Sequence, residues 1–360
     1  MKKKTHVAIV YNEPTVTTST GRKYISETGI LYESGVALAN IAEVSIDMSE
    51  AGVVDEMNDI KRALIEMGYK TTLFNVNSDI MKLINFLIET KPDVIFNICE
   101  SIGNESTHEM HVAGIYELLG IPYTGANAFT LGLAQNKVRV KELLGYYQLP
   151  TPKFMLCSNP VRITIEDNLD FPLIVKPSRE DASTGISSDS VVYNLTDLRK
   201  KVRFIIEQFN QPALIEEYID GRELNVAILG NSKPEALPIS EIDMSTLPDK
   251  YHKIITYNAK WMKGTDEYEH TKGTCPAKLE KSLEQRLKEM ALQSYKIIGG
   301  RDYARVDFRL TKDNKPYILE FNPNPDIAAD AGFARSAKTS GLTFEEMVSK
   351  IVELALERAK

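Results

Sequence analysis

No apolar run in this 360-residue sequence is long enough to cross a bilayer, and the run behind the charged start, residues 7–11, is too short for the core of a secretory signal. The expectation is a cytoplasmic protein with no membrane partner. Cysteine is scarce. Cys99, Cys157 and Cys275 are an odd number at wide spacing without a C-x-x-C pair, which argues against a disulfide framework and a thiolate zinc site and predicts buried packing positions. Positive charge is not in excess: 43 Lys and Arg against 50 Asp and Glu leave a formal charge of -7, with no basic block to track a phosphate backbone, so no nucleic acid partner is expected. The sequence also lacks G-x-x-x-x-G-K-S/T, G-x-G-x-x-G and G-x-S-x-G, which disfavours P-loop and dinucleotide folds and nucleophilic hydrolases. Thr107-His-Glu-Met-His111 is H-E-x-H and misses the H-E-x-x-H spacing, so polar contacts near a substrate or plain surface placement are expected there rather than zinc. Repeats and Pro/Gly/Ser linkers are absent, and the length suffices for two or three domains packed around a cleft.

What is present begins as α/β. The first third alternates strand and helix signals: residues 7–11, an amphipathic stretch with Met57, Ile60, Leu64 and Met67 closed by Gly68, then residues 71–74 and 94–98. Such alternation predicts a doubly wound parallel sheet with ligand groups beyond the strand carboxyl ends, where Asn12, Glu13, Asn97 and Glu100 fall. Residues 12–52 are too many for an ordinary βα loop and predict a lid, an extra helix or both. The pattern breaks at Gly120-Ile-Pro-Tyr-Thr-Gly125, and a helix over 135–144 opens a second unit. The expected domains are 1–126, 127–214 and 215–360. Later, Leu283, Leu287, Met290 and Ile297 trace a helix stopped by Gly299-Gly300, and Thr343-Phe-Glu-Glu346 is a capping box.

Residues 303–310 and 316–322 both alternate with period two, which predicts a hairpin. With Asp313-Asn314 as a two-residue turn, Asp307 faces Glu320 and Arg305 faces Asn322 on one side, while Val306, Phe308, Leu319 and Phe321 take the other. Carboxylates opposed across strands repel unless a cation lies between them, and with Asn322 alongside they suit magnesium shared with nucleotide phosphates. The alternative is a solvated face on which Arg305 and Arg309 screen the acids. The stretch Phe171-Pro-Leu-Ile-Val-Lys-Pro-Ser-Arg179 delivers Lys176 from an apolar strand into a loop of small residues, where backbone amides near Ser183, Thr184 and Gly185 can cradle phosphate. An ordinary surface turn is the competing reading. Residues 213–228 read as strand, Gly221 turn and strand, with Glu216, Glu217 and Glu223 either facing solvent or lying beside a purine edge and ribose hydroxyls. The single tryptophan, Trp261, would alone be assigned to the core.

Together and in this order, these stretches resemble the ATP-grasp enzymes, specifically the D-alanine D-alanine ligase branch, from about Val94 to the C-terminus. The carriers are Ile121-Pro-Tyr-Thr-Gly125, Gln135-Asn-Lys-Val-Arg-Val-Lys141, Ile174-Val-Lys-Pro-Ser-Arg179, Ile215-Glu-Glu-Tyr-Ile-Asp-Gly-Arg-Glu223, Tyr257-Asn-Ala-Lys260, Cys275-Pro-Ala277, Ala304-Arg-Val-Asp307 and Leu319-Glu-Phe-Asn322. The resemblance implies an α/β ATP-grasp fold: an N-terminal doubly wound parallel-sheet domain, then two domains that clamp ATP. It places Mg2+, with Mn2+ as a substitute, on Asp307, Glu320 and Asn322. By matching position, Lys137 and Lys176 are nucleotide lysines, Lys260 contacts phosphate, Ser183 belongs to the phosphate loop, and Glu216, Glu217 and Ile219 form the adenine strand. Glu223 accepts from ribose, Arg305 steadies an oxyanion and Glu13 meets a substrate amino group. The implied reaction joins a carboxylate to an amine through an acyl phosphate, releasing ADP, on small amino-acid or peptide substrates. A homodimer is compatible with it.

The departures concern the substrate. Where the resembled ligases place a serine after the glycine of the phosphate loop, Asp181-Ala182 stand here before Ser183, and a tyrosine of the same network is Trp261. Their Pro-Gly and later carboxylate-binding serine are replaced by Asn322-Pro-Asn-Pro-Asp-Ile-Ala-Ala-Asp330. Asp326 and Asp330 would repel a free carboxylate and attract a cation, so an acceptor other than D-alanine is expected. A nucleotide-binding protein without ligase activity and a kinase of a small hydroxyl substrate are the alternatives, and retention of Arg305 favours catalysis.

Overall fold

The computed structural model describes residues 4–13, 15–18, 21–25, 31–33, 36–38, 52–76, 79–102, 106–161, 163–165 and 169–359. Strand β1 (His6–Tyr11) is buried throughout and alternates between two cores, Val7, Ile9 and Tyr11 facing one and Ala8 and Val10 the other. A strand covered on both faces is what a doubly wound sheet requires. Next come β2 (Thr15–Thr18), β3 (Gly21–Ile25), β4 (Leu31–Glu33) and β5 (Val36–Leu38), an antiparallel ribbon in that order. The described part of the long insertion is therefore β-structure and not the extra helix that was one expectation; residues 39–51 lie outside the described residues. Helix α1 (Val53–Glu66), β6 (Lys70–Asn75), α2 (Ile80–Thr90), β7 (Val94–Ile98) and α3 (His108–Leu119) complete the unit, with parallel strand order β6-β1-β7. Met57, Ile60 and Leu64 of α1 are buried, whereas Met67 lies beyond the helix end and is exposed.

The expected helix over 135–144 is α5 (Lys137–Tyr146), displaced by two residues, and Gln135 ends a separate helix before it, α4 (Ala128–Gln135). Asn136 divides them: its side chain accepts from the Arg139 N–H at 3.2 Å and caps α5, which puts Lys137 at the first helical position. Strands β8 (Phe154–Cys157), β9 (Leu173–Pro177) and β10 (Val191–Val192), helix α6 (Leu195–Phe209) and β11 (Ala213–Glu217) follow, the sheet order being β10-β9-β11-β8.

The last unit contains β12 (Arg222–Leu229), β13 (Glu235–Ala236), β14 (Ser240–Asp243), α7 (Tyr257–Trp261), α8 (Asp266–Glu269), β15 (Lys272–Thr274), α9 (Lys281–Ile298), β16 (Tyr303–Leu310), β17 (Pro316–Asn322), α10 (Gly332–Thr339) and α11 (Phe344–Glu357). Its sheet runs β15-β14-β12-β16-β17, with β13 also paired to β12. Gly299 caps α9 in a left-handed conformation, and the Thr343 hydroxyl and Glu346 carboxylate each accept the other's backbone N–H, as the sequence signals predict.

Packing apportions the chain differently from the expected boundaries. Ala134, Val140, Leu144 and Leu149 enter the core of the C-terminal sheet, while β11 sits inside the middle sheet and straddles the 214/215 boundary. Met57 and Ile60 of α1 share a core with Met347 and Ile351 of α11, so the first and last units are joined by apolar burial. Cys99 and Cys157 are buried, Cys275 is half-buried, and all three are free thiols. Among the described residues no helix is long and apolar enough to cross a membrane.

Candidate functional site

The reactive face is laid out by strand register. Asn225 pairs with Asp307 and Asp307 with Glu320, and the next inward-facing row is Ala227, Arg305 and Asn322. The expected opposition of Asp307 to Glu320 and of Arg305 to Asn322 holds, but not through the expected turn. The chain reverses over Lys312, Asp313 and Asn314, with Asn314 left-handed at φ 58, so the loop is longer by one than a two-residue turn. A bulge restores the register: Phe308 pairs with Ile318 while Asp307 pairs with Glu320, leaving Leu319 extra on β17. Leu319, expected in the core, therefore lines the cleft, and Ile318 takes its place in the core.

Asp307 accepts four hydrogen bonds. Asn225 Nδ2 (2.8 Å) and Arg305 Nε (2.8 Å) donate to Oδ1, while Arg305 Nη2 (2.9 Å) and Asn322 Nδ2 (3.0 Å) donate to Oδ2. Lys137 Nζ reaches Glu320 at 3.2 Å and Asp181 at 2.6 Å, tying α5 and the loop after β9 to β17. Burial opposes ionisation of Glu320, yet the charges of Lys137, Lys176 and Arg305 outweigh it and hold its pKa at about 2. Burial likewise works against the Lys137 ammonium, but Asp181 and Glu320 prevail and push its pKa up.

Behind this face lies a buried triad. Glu216 is 1% exposed and sits 2.5 Å from both Lys141 and Lys176. Lys141 also donates to Thr151 Oγ1 at 2.8 Å, and desolvation brings its pKa down to about 8 despite Glu216. The Glu216 side chain is thus committed to the lysines, leaving backbone to meet a base. Strand β11 ends at Glu217, whose N–H bonds to Lys153 O, and Ile219 follows beyond the ladder. Glu223 pairs with Arg309 at 2.9 Å, and burial raises its pKa.

The loop after β9 turns through left-handed Ala182, Ser183 and Gly185. Trp261, which alone would be assigned to the core and which the resemblance puts in the substrate network, donates its indole N–H to Ala182 O at 3.0 Å, and the Lys260 ammonium lies 5.0 Å from the center of its ring. These groups surround a cavity of about 980 Å³. Every expected site residue lines it except Glu13, whose backbone N–H donates to Asn75 Oδ1 at 3.2 Å. Asn12 and Asn97 act structurally, Asn12 bonding Ser101 and the Glu100 N–H, and Asn97 bonding Tyr116 and Thr124.

The N-terminal unit instead offers Glu56, Glu100 and Glu109 to the cleft, which Asp326 and Asp330 also line. Burial and then the charges of Asp326 and Glu100 raise the pKa of Glu56, while Ile327 N–H donates to it at 3.3 Å. Burial raises Glu109 to about 8, although Asn324 Nδ2 donates to it at 2.9 Å. Asn324 also accepts from the Ala126 N–H at 2.9 Å, and it crosses so close to Gly125 that any Cβ there would overlap its amide. Lys141 and Asn225 were findable: Lys141 is four residues from Lys137 on one helix face, and Asn225 shares a strand face with Glu223. Glu56, Glu109 and Asn324 meet only through tertiary contact and carry no local signal.

The donor set fits magnesium. Asp307, Glu320 and the Asn322 amide are oxygen donors that converge where cations already gather, and two carboxylates leave positions for phosphate oxygens and water. Among the described residues no group of three or more His, Cys, Asp or Glu is arranged to hold a metal alone.

The D-ala D-ala ligase C-terminus family matches residues 143–353. A D-alanine–D-alanine ligase of Carboxydothermus hydrogenoformans is 30% identical over 328 residues, 89% of this chain and 96% of that protein. An uncharacterized protein of Sinorhizobium fredii is 32% identical over 306 residues, 84% of this chain and 87% of its own length. In fold, the D-alanine–D-alanine ligase of Bacillus anthracis complexed with ATP superposes with a TM-score of 0.70 at 22% identity, covering 99% of this chain and 98% of that one. With that family matched over more than half the sequence and such relatives across most of it, the chain belongs to the D-alanine–D-alanine ligase family of ATP-grasp proteins.

Proposed function

We propose that this protein is an ATP- and magnesium-dependent ligase that joins a carboxylate to an amine and releases ADP, with an acceptor other than D-alanine. The observation that carries the reading is the Asp307–Glu320 pair, bracketed by Arg305 on one side and Lys137 on the other within an interdomain cleft. Held by Asp307, Glu320 and Asn322, magnesium would supply charge neutralisation at the phosphates. Lys137, Lys176 and Lys260 position the triphosphate, the backbone at 217–219 meets adenine, and Glu223 accepts from ribose. A donor carboxylate oxygen attacks the γ-phosphorus, the bond to the bridging oxygen breaks, and ADP leaves. The amine then attacks the acyl carbon. Arg305 holds the tetrahedral oxyanion, phosphate departs as the C–O bond breaks, and the amine proton passes to solvent.

Glu56, which faces the cleft, takes the part assigned from sequence to Glu13. The carboxylates of Glu100, Asp326 and Asp330 favour an acceptor carrying positive charge. Trp261 and Asp326 shape its site. The test combines protein, ATP, magnesium and pooled amino acids and small amines, read by mass spectrometry, with hydroxylamine as a trap. A hydroxamate supports the acyl phosphate; a phosphate ester would establish the kinase alternative, and ATP binding without turnover would establish the binding-only one. Faster ADP release with D-alanine alone than with any other acceptor would refute the altered specificity.

A further inference from the structure

Arg335 projects from α10 into the wall of the cleft, half-buried. Its Nε donates to Ser240 Oγ at 3.4 Å and its Nη1 to the Asp330 carbonyl, and among the described residues it forms no ion pair. Arg305, Arg309, Lys137 and Lys176 are all neutralised by carboxylates. Three of the five N–H groups of the Arg335 guanidinium remain to be used. The largest charge effects on it come from Asp330, Cys275, Arg305 and Asp326. Its bonds to Ser240 and to the Asp330 carbonyl set it beside the substrate loop, on the side of Arg305. Gly273 makes room for it, because a Cβ there would overlap the guanidinium. The acids of the loop do not block it: Asp326 Oδ1 already accepts from the Ala328 N–H at 2.8 Å, and Asp330 offers Arg335 its carbonyl.

We propose that Arg335 receives the carboxylate of the second substrate, so that the acceptor is a basic amino acid or a peptide with a free carboxylate, not a simple amine. The inference rests on the ligase reading for the identity of the second substrate. It alters the expectation that Asp326 and Asp330 exclude a carboxylate: they would face the cationic end of the acceptor while the guanidinium forks its carboxylate.

The test measures equilibrium binding to the full chain with magnesium and a non-hydrolysable ATP analogue. The probes are lysine, ornithine and 2,3-diaminopropionate of both hands, each against its own carboxamide. At least one acid should bind roughly 10- to 100-fold tighter than its amide. That ratio should collapse toward one in Arg335→Gln and be partly kept in Arg335→Lys. Gly273→Ala retains the arginine but displaces its tip, and it should reproduce the Gln variant. If no acid outbinds its amide, or if the ratio survives both Arg335→Gln and Gly273→Ala, the proposal fails. Weakened binding of the ATP analogue with the ratio intact would put the guanidinium on a phosphate and overturn it. An Arg335-dependent ratio without any hydroxamate would instead uphold Arg335 and remove the ligase reading.

Discussion

Asp307 stands directly opposite Glu320, and the residue that makes this so is the bulged Leu319 beside them. Glu320→Gln removes one donor while Lys137 keeps its second partner, Asp181. Magnesium-dependent ADP formation should be abolished with the fold retained and the melting temperature lowered, because Lys137, Lys176 and Arg305 lose the carboxylate whose pKa they hold at about 2. Asp307→Asn should do the same to turnover at a larger stability cost, because it weakens the bidentate partner of Arg305. Wild-type turnover in either variant would remove the metal assignment.

Arg305 is held by Asp307, and the oxyanion role proposed for it predicts that Arg305→Ala spares ATP affinity and lowers product formation by roughly 100- to 1000-fold. The comparison needs the nucleotide Kd and kcat in the same preparation. A parallel fall in both would move Arg305 from the oxyanion to the nucleotide.

Glu216→Gln leaves Lys141 and Lys176 side by side in the interior without a counter-charge. Denaturant unfolding should report a loss of about 3–5 kcal/mol. A change below about 1 kcal/mol would mean that water already neutralises the triad.

Glu109 should make stability fall as pH rises. Folded, its carboxyl keeps its proton up to about 8; unfolded, it ionises near 4.5, so across that window the folded state holds the extra proton. Melting temperature should therefore decline from pH 5 to pH 8 in the wild type and decline less in Glu109→Gln, which preserves an acceptor for Asn324. The gain at pH 8 is on the order of 2 kcal/mol after allowing for the part of the carboxyl that stays wet. Parallel profiles for the two proteins would show the proton to be held elsewhere.

Much of the chemistry was legible along the chain because β-structure converts sequence spacing into facing. Alternation together with an assumed two-residue turn puts Arg305, Asp307, Glu320 and Asn322 on one face, and the structure agrees although that turn is one residue too short. The bulge at Leu319 compensated for that error, and no periodicity signals a bulge in advance. Asn136 hid a break between two helices, since a capping residue inside an apolar pattern looks like a surface position.

The sequence by itself determined the alternating strands and helices outside residues 12–52, the acidic hairpin and the family resemblance, because each depends on neighbours a few positions apart or on an ordered set of motifs. Tertiary structure alone decided that α4 and α5 pack on the C-terminal sheet, that Glu56 and not Glu13 faces the cleft, and that Arg335 reaches it past Gly273. Those facts depend on how separately formed units bury their apolar faces against one another. Burial has no direction along the chain, so the partners it selects leave no spacing to read.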